Sequence, residues 1–97
     1  MNLKFEWDRK KATSNLSKHG VSFDEAASVF LDPLAVTFPD PDHSGEEFRE
    51  ITIGRSASQR VVFLSHTRRG DRTRLISARK ATRRERKQYE ESISEEK

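Results

Sequence analysis

At 97 residues with 32% apolar side chains and a mean hydropathy of −0.92, the chain has material for one thin core, and no run approaches the roughly 18 to 20 apolar residues that span a bilayer. With no cysteine, disulfides, thiolate zinc sites and thiol nucleophiles are excluded together; residues 1–11 lack the apolar stretch of a signal peptide, so a single-domain cytoplasmic protein is expected. The net charge of +3 conceals a segregation, because residues 1–54 carry 6 basic and 10 acidic groups, residues 55–87 carry 12 and 2, and residues 88–97 carry 1 and 4. A segment at +10 over a third of the chain points to a polyanionic partner, phosphate backbones above all, since solvated faces usually mix signs.

In chain order, Leu3-Lys4-Phe5-Glu6-Trp7 alternates apolar and charged residues with the period of a half-buried strand. Asp8 then reads as the N-cap of a weakly apolar helix over 9–19, with Gly20 as its stop. Ser22 and Glu25 have capping-box spacing at the start of a second helix, whose Phe23, Ala26, Ala27 and Phe30 share one face and which Asp32-Pro33 ends; Val21 and Ala26 are placed to form its hydrophobic staple. Residues 34–38 are β-rich and run into Pro39-Asp40-Pro41-Asp42, a loop that proline keeps out of a central strand. Strands are expected at 48–54, 60–67 and 73–78, joined by hairpin-length connections as an antiparallel meander. A second capping box, Thr82 to Glu85, opens a last helix through Tyr89 to about Ile93, before an acidic end expected to fray from about residue 90. The order β-α-α-β-β-β-β-α, with helices segregated from the meander, predicts an α+β fold.

Three segments carry a resemblance. Phe5-Glu6-Trp7-Asp8, then Asn15-Leu16-Ser17-Lys18-His19-Gly20-Val21-Ser22-Phe23 with Glu25-Ala26-Ala27, Phe30 and Asp32-Pro33, and finally Ile76-Ser77-Ala78-Arg79-Lys80-Ala81 with Glu85 and Tyr89 resemble the BrnT toxin family in order and spacing. The resemblance covers about residues 3 to 91. It implies a RelE-like ribonuclease fold with an antiparallel sheet, helices packed on one face and RNA bound on the other. It also implies a type II toxin–antitoxin pair: a cognate BrnA-like antitoxin with a ribbon-helix-helix DNA-binding part, a 2:2 heterotetramer and autorepression through operator DNA.

Metal-independent RNA cleavage requires deprotonation of a 2′-hydroxyl, stabilisation of charge on phosphorus and protonation of the leaving 5′-oxygen. His66, near a strand end before Arg68 and Arg69, would let an imidazole and two guanidiniums approach one phosphate; the alternative is a histidine bonded locally. Arg79 and Lys80 stand at a strand-to-helix junction that favours an anion, unless Arg79 pairs with a carboxylate such as Glu6 or Asp8. Glu85 and Tyr89 share a helix face, as general base and as proton donor or base stacker, against the readings of capping residue and ring packed on the sheet. Arg72, Arg74, Arg83 and Arg84 would supply an electrostatic face. Lys18 and His19 suit a helix C-terminus, and the resemblance keeps them as RNA contacts. Asp40, Asp42 and His43 lie in a proline-rich loop and are assigned no metal, and no cofactor is expected. An endoribonuclease is thus the leading reading, with a non-catalytic nucleic-acid-binding module or a pure interaction protein as the alternatives.

Overall fold

A computed structural model describes residues 3–43 and 48–95. Local signals act where they are written. The first helix, α1 (Arg9–His19), follows β1 (Phe5–Glu6) and starts on Asp8, whose carboxylate accepts from Lys11 N at 3.0 Å. It stops at Gly20, which adopts the left-handed region at φ 69° and donates to Leu16 O, a conformation that costs a glycine little. In α2 (Phe23–Ser28) only half the capping box forms: Ser22 Oγ accepts from Glu25 N at 3.0 Å, while the Glu25 carboxylate turns to Arg60 and to Ser56 Oγ. A 3-10 turn, Val29–Leu31, completes the run. The box opening α3 (Arg83–Glu95) is complete, with Thr82 N on Glu85 Oε1 at 2.8 Å and Glu85 N on Thr82 Oγ1 at 3.2 Å; the helix continues to Glu95, beyond the end expected from sequence. Among the described residues, no helix is long and apolar enough to cross a membrane.

The remaining strands, β2 (Val36–Pro39), β3 (Arg49–Arg55), β4 (Val61–Arg69) and β5 (Arg72–Lys80), form one five-stranded sheet in the order β1-β5-β4-β3-β2. Two expectations about the sheet are corrected. It is mixed rather than antiparallel throughout, because β1 pairs parallel with β5: α1 and α2 carry the chain across one face to the far edge, and the β2 to β5 meander returns beside β1. Nor do all helices lie on one face. Alternation in β4 sends Val62 and Leu64 into a core with Val21, Phe23, Ala26 and Val29, whereas Val61, with Phe63 packed beside it, joins Ile51, Ile53 and Tyr89 of α3. Each face of the sheet has an apolar area to cover, and α3 covers the second.

Two details position the site. Opposite Ser65 and His66 stand Ser77 and Leu75, leaving Ile76 as an extra residue in β5. This bulge lets both Leu75 and Ala78 enter the α1–α2 core and brings Arg74 and Arg79 onto the same, α3-bearing side despite their odd separation. Beyond the short β1, the outer edge of β5 is completed by a side chain: Asn15 Nδ2 donates to Ala78 O (2.8 Å) and Val21 O (2.9 Å), and its Oδ1 accepts from Ala78 N (3.0 Å).

Candidate nucleic-acid interface

The strand register lays out the α3 side row by row. Arg69 faces Arg72 beside the β4–β5 turn; Thr67 faces Arg49 on one side and Arg74 on the other; Ser65 lies between Ile51 and Ser77; Phe63 lies between Ile53 and Arg79. The helix covers the Ile53 and Val61 end, leaving the end that carries Arg69, Arg72 and Arg74.

Arg79 is the most constrained of these cations. Its guanidinium carbon sits 4.0 Å from the centroid of the Phe63 ring, a cation–π arrangement, and its two terminal nitrogens bond Glu85 at 2.8 and 3.0 Å. The bidentate pair, helped by the Thr82 amide, holds the Glu85 carboxyl below the ordinary value, and Glu85 in turn raises that of Arg79. Both are therefore charged at neutral pH. The alternative to a phosphate contact paired Arg79 with a carboxylate such as Glu6 or Asp8; Arg79 does hold a carboxylate, that of Glu85, while Glu6 bonds Arg74 at 2.9 Å and approaches Arg69 at 3.9 Å. One carboxylate shared by two arginines leaves this end of the face electropositive.

The other expected site residues lie apart from that face. His66 is only 5% exposed; it lies on the α2 side, edge-on to Phe30 with ring centroids 5.1 Å apart, and its Nε2 is 2.7 Å from Thr52 Oγ1. Burial lowers its pKa to about 4, so the imidazole is neutral and sealed from any phosphate near Arg69. Convergence of His66 with Arg68 and Arg69 fails for two reasons: alternation sends Arg69 to the face opposite both His66 and Arg68, and His66, though on the side of Arg68, is buried, while Arg68 bonds Gly70 O at 3.3 Å.

Tyr89 is 1% exposed, with its hydroxyl donating to Asp32 Oδ2 at 2.5 Å; burial and the Asp32 carboxylate push its pKa up to about 12. It packs on the sheet and presents no ring to a base. Lys80 follows Arg79 but projects to the other side, where it helps keep Glu25 ionised behind the larger effect of Arg60. Lys18 and His19 are exposed on the last turn of α1, on the side opposite Arg79, and Arg83 and Arg84 are exposed on the first turn of α3. The structure thus places Arg69, Arg72, Arg74, Arg79 and Glu85 on one side of the sheet, with the Arg79–Glu85 pair in the row of Phe63 and the Arg69–Arg72 pair six residues further along β4.

Sequence reasoning missed the long-range contacts of two residues that hold the frame. Asn15 is one; Asp32 is the other, its Oδ2 accepting from Arg55 N at 2.8 Å and from Tyr89, its Oδ1 from Leu34 N at 2.9 Å. Asp32 joins the start of β2, the end of β3 and α3 where a proline-preceding stop signal was all that the local pattern offered.

Comparison with known proteins places this frame. The model of a family described as "Ribonuclease toxin, BrnT, of type II toxin-antitoxin system" matches residues 7–85. The fold is similar to the 1.1 Å crystal structure of the Brucella abortus ribonuclease toxin BrnT, with a TM-score of 0.66 and 24% identity, over 84% of this chain and all of that one. No curated protein matches the chain. The matched segment contains the bulged strand, Arg74, Arg79 and Glu85, and the chain belongs to the BrnT family of ribonuclease toxins of type II toxin–antitoxin systems.

Proposed function

We propose that the chain is a metal-independent endoribonuclease that cuts RNA on the α3 side of its sheet, leaving a 2′,3′-cyclic phosphate, and so inhibits translation and growth. The observation that carries this reading is Arg79, fixed against Phe63 and Glu85 and flanked on its own face by Arg74, Arg69 and Arg72. The two terminal nitrogens of Arg79 are held by Glu85, so the guanidinium meets a phosphate through its remaining N–H donors, and it stays charged at any working pH. Held in advance, it stabilises the charge that grows on phosphorus as the 2′-oxygen attacks. Glu85, ionised beside it, receives the 2′-hydroxyl proton, and the leaving 5′-oxygen takes its proton from water.

The proposed regulation is supported by family membership alone. A cognate BrnA-like antitoxin with a ribbon-helix-helix part binds the toxin in the cytoplasm as a 2:2 heterotetramer and carries it to operator DNA for autorepression. The antitoxin covers the arginine face and excludes RNA by competition.

The test uses purified, antitoxin-free protein in excess EDTA with RNA and with DNA of the same sequence. RNA is cut to products ending in a cyclic or 3′-phosphate, DNA is not, and Arg79→Ala, assayed at a temperature where its melting curve shows it folded, cuts at least about tenfold more slowly, a loss of roughly 1.4 kcal/mol of transition-state stabilisation. Cleavage of both polymers, or activity that vanishes in EDTA and returns with magnesium, overturns the mechanism; RNA bound tightly but uncut makes the chain a binding module.

A further inference from the structure

An uncharged strip crosses the sheet between the arginines. Phe38, Ile51, Ser65 and Ser77 are successive cross-strand partners from β2 to β5, so all four share the α3 side, over about 14 Å at ordinary strand spacing. Ser65, 9% exposed, keeps the floor low, and the exposed Ser77 presents a hydroxyl suited to phosphate and ribose oxygens. Arg74 stands in the row on one side of it and Arg79 in the row on the other. At the far end is an aromatic ring that belongs to neither core cluster. Val36, two residues earlier on the same face, packs into the Tyr89 core, whereas Phe38 is 39% exposed.

We propose that Phe38 is a base-stacking subsite: a nucleobase of single-stranded RNA lies on its ring while the adjoining backbone runs over Ser65 and Ser77 toward Arg74 and Arg79. This rests on reading the arginine face as the RNA site. The physical case is complementarity of two kinds along one line. Every base has an apolar face to set against an exposed phenyl ring, and the phosphates that follow it along the strand meet fixed cations. Stacking tolerates any base, so the subsite adds affinity and fixes the register of the strand over Arg79 without reading a sequence.

Binding is measured with a 2′-O-methyl oligonucleotide, which lacks the attacking hydroxyl, and with an abasic oligonucleotide of the same length. Phe38→Ala and Phe38→Leu weaken binding of the first at least about tenfold and leave the second unchanged, while Arg74→Ala weakens both. If both Phe38 variants bind the full oligonucleotide as tightly as the wild type and Arg74→Ala still weakens it, the subsite is wrong and the arginine face stands. Equal weakening of both oligonucleotides by the Phe38 variants also overturns stacking, since a disturbed β2 would act that way. If Arg74→Ala binds as the wild type does, the reading of the face itself fails.

Discussion

Burial turns His66 from a candidate proton-transfer group into a determinant of stability. It is held neutral between Phe30 and Thr52, and Thr52 Oγ1 lies 2.7 Å from Thr37 Oγ1, so a hydroxyl chain leads from the imidazole to the outermost strand. With a folded pKa of about 4 against about 6.5 in the unfolded chain, the unfolded state binds the extra proton as pH falls. The contribution is complete above about 6.5 and is lost as pH drops toward 4. About 2 kcal/mol should disappear between pH 7 and pH 5, a window above the ordinary range of Glu25, Asp32 and Glu85, whose pKa values are all lowered by their partners. Urea unfolding at the two pH values measures it. His66→Gln, which keeps a polar partner for Thr52 but does not titrate, should flatten the dependence; an unchanged slope in that variant would assign the effect to other groups.

At the scale of the element, the decisive contacts are those that replace regular structure where it runs out. β1 supplies two residues opposite Thr73 and Arg74, and from there the edge of β5 depends on Asn15. Removing that side chain in Asn15→Ala leaves the amide and carbonyl of Ala78 and the carbonyl of Val21 without these partners in a buried place. Each such group costs about 1 to 3 kcal/mol, so chemical denaturation should show a loss of at least about 2 kcal/mol, with RNA cleavage falling in the same variant because β5 also carries Arg79. A loss under about 0.5 kcal/mol, within the ordinary scatter of surface changes, would mean that water replaces the amide. This distinction also explains what the sequence makes legible. Caps at Asp8, Ser22, Thr82 and Gly20 act within four residues, and the helices start and stop there. The Ile76 bulge, the parallel pairing of β1 and the side taken by α3 are set by residues distant in sequence, and the bulge gathers Arg74 and Arg79 on one face; the separation of His66 from Arg69, by contrast, follows from strand alternation, which the sequence did offer. Gly54 belongs with them, since a Cβ there would stand 2.8 Å from Ala35 Cβ and Val29 Cγ1, a close approach that no local pattern announces.

For the whole molecule the question is how a charge of +10 over residues 55–87 is divided in space. Some of it is spent internally, as Arg60 on Glu25 and Gly20 O, and Lys80 and Arg68 turn away from the arginine face. At the uncovered end of that face, beyond Arg74, the Arg69 and Arg72 pair face each other beside the turn, with Gly70 at φ 61° giving the hairpin its first turn residue. Both arginines are exposed, so Arg69→Glu with Arg72→Glu changes the field without touching either core. If RNA and antitoxin compete for this face, the double reversal weakens both. For RNA, two lost phosphate contacts also lower the slope of log affinity against log salt by about 1.4. The antitoxin complex of the wild type should loosen as salt rises, and that sensitivity should shrink in the variant. Titrations of both ligands at several salt concentrations decide it. RNA affinity reduced with antitoxin affinity and its salt dependence intact would place the antitoxin on another surface, and inhibition would then have to pass through the sheet to Arg79 instead of excluding RNA from it.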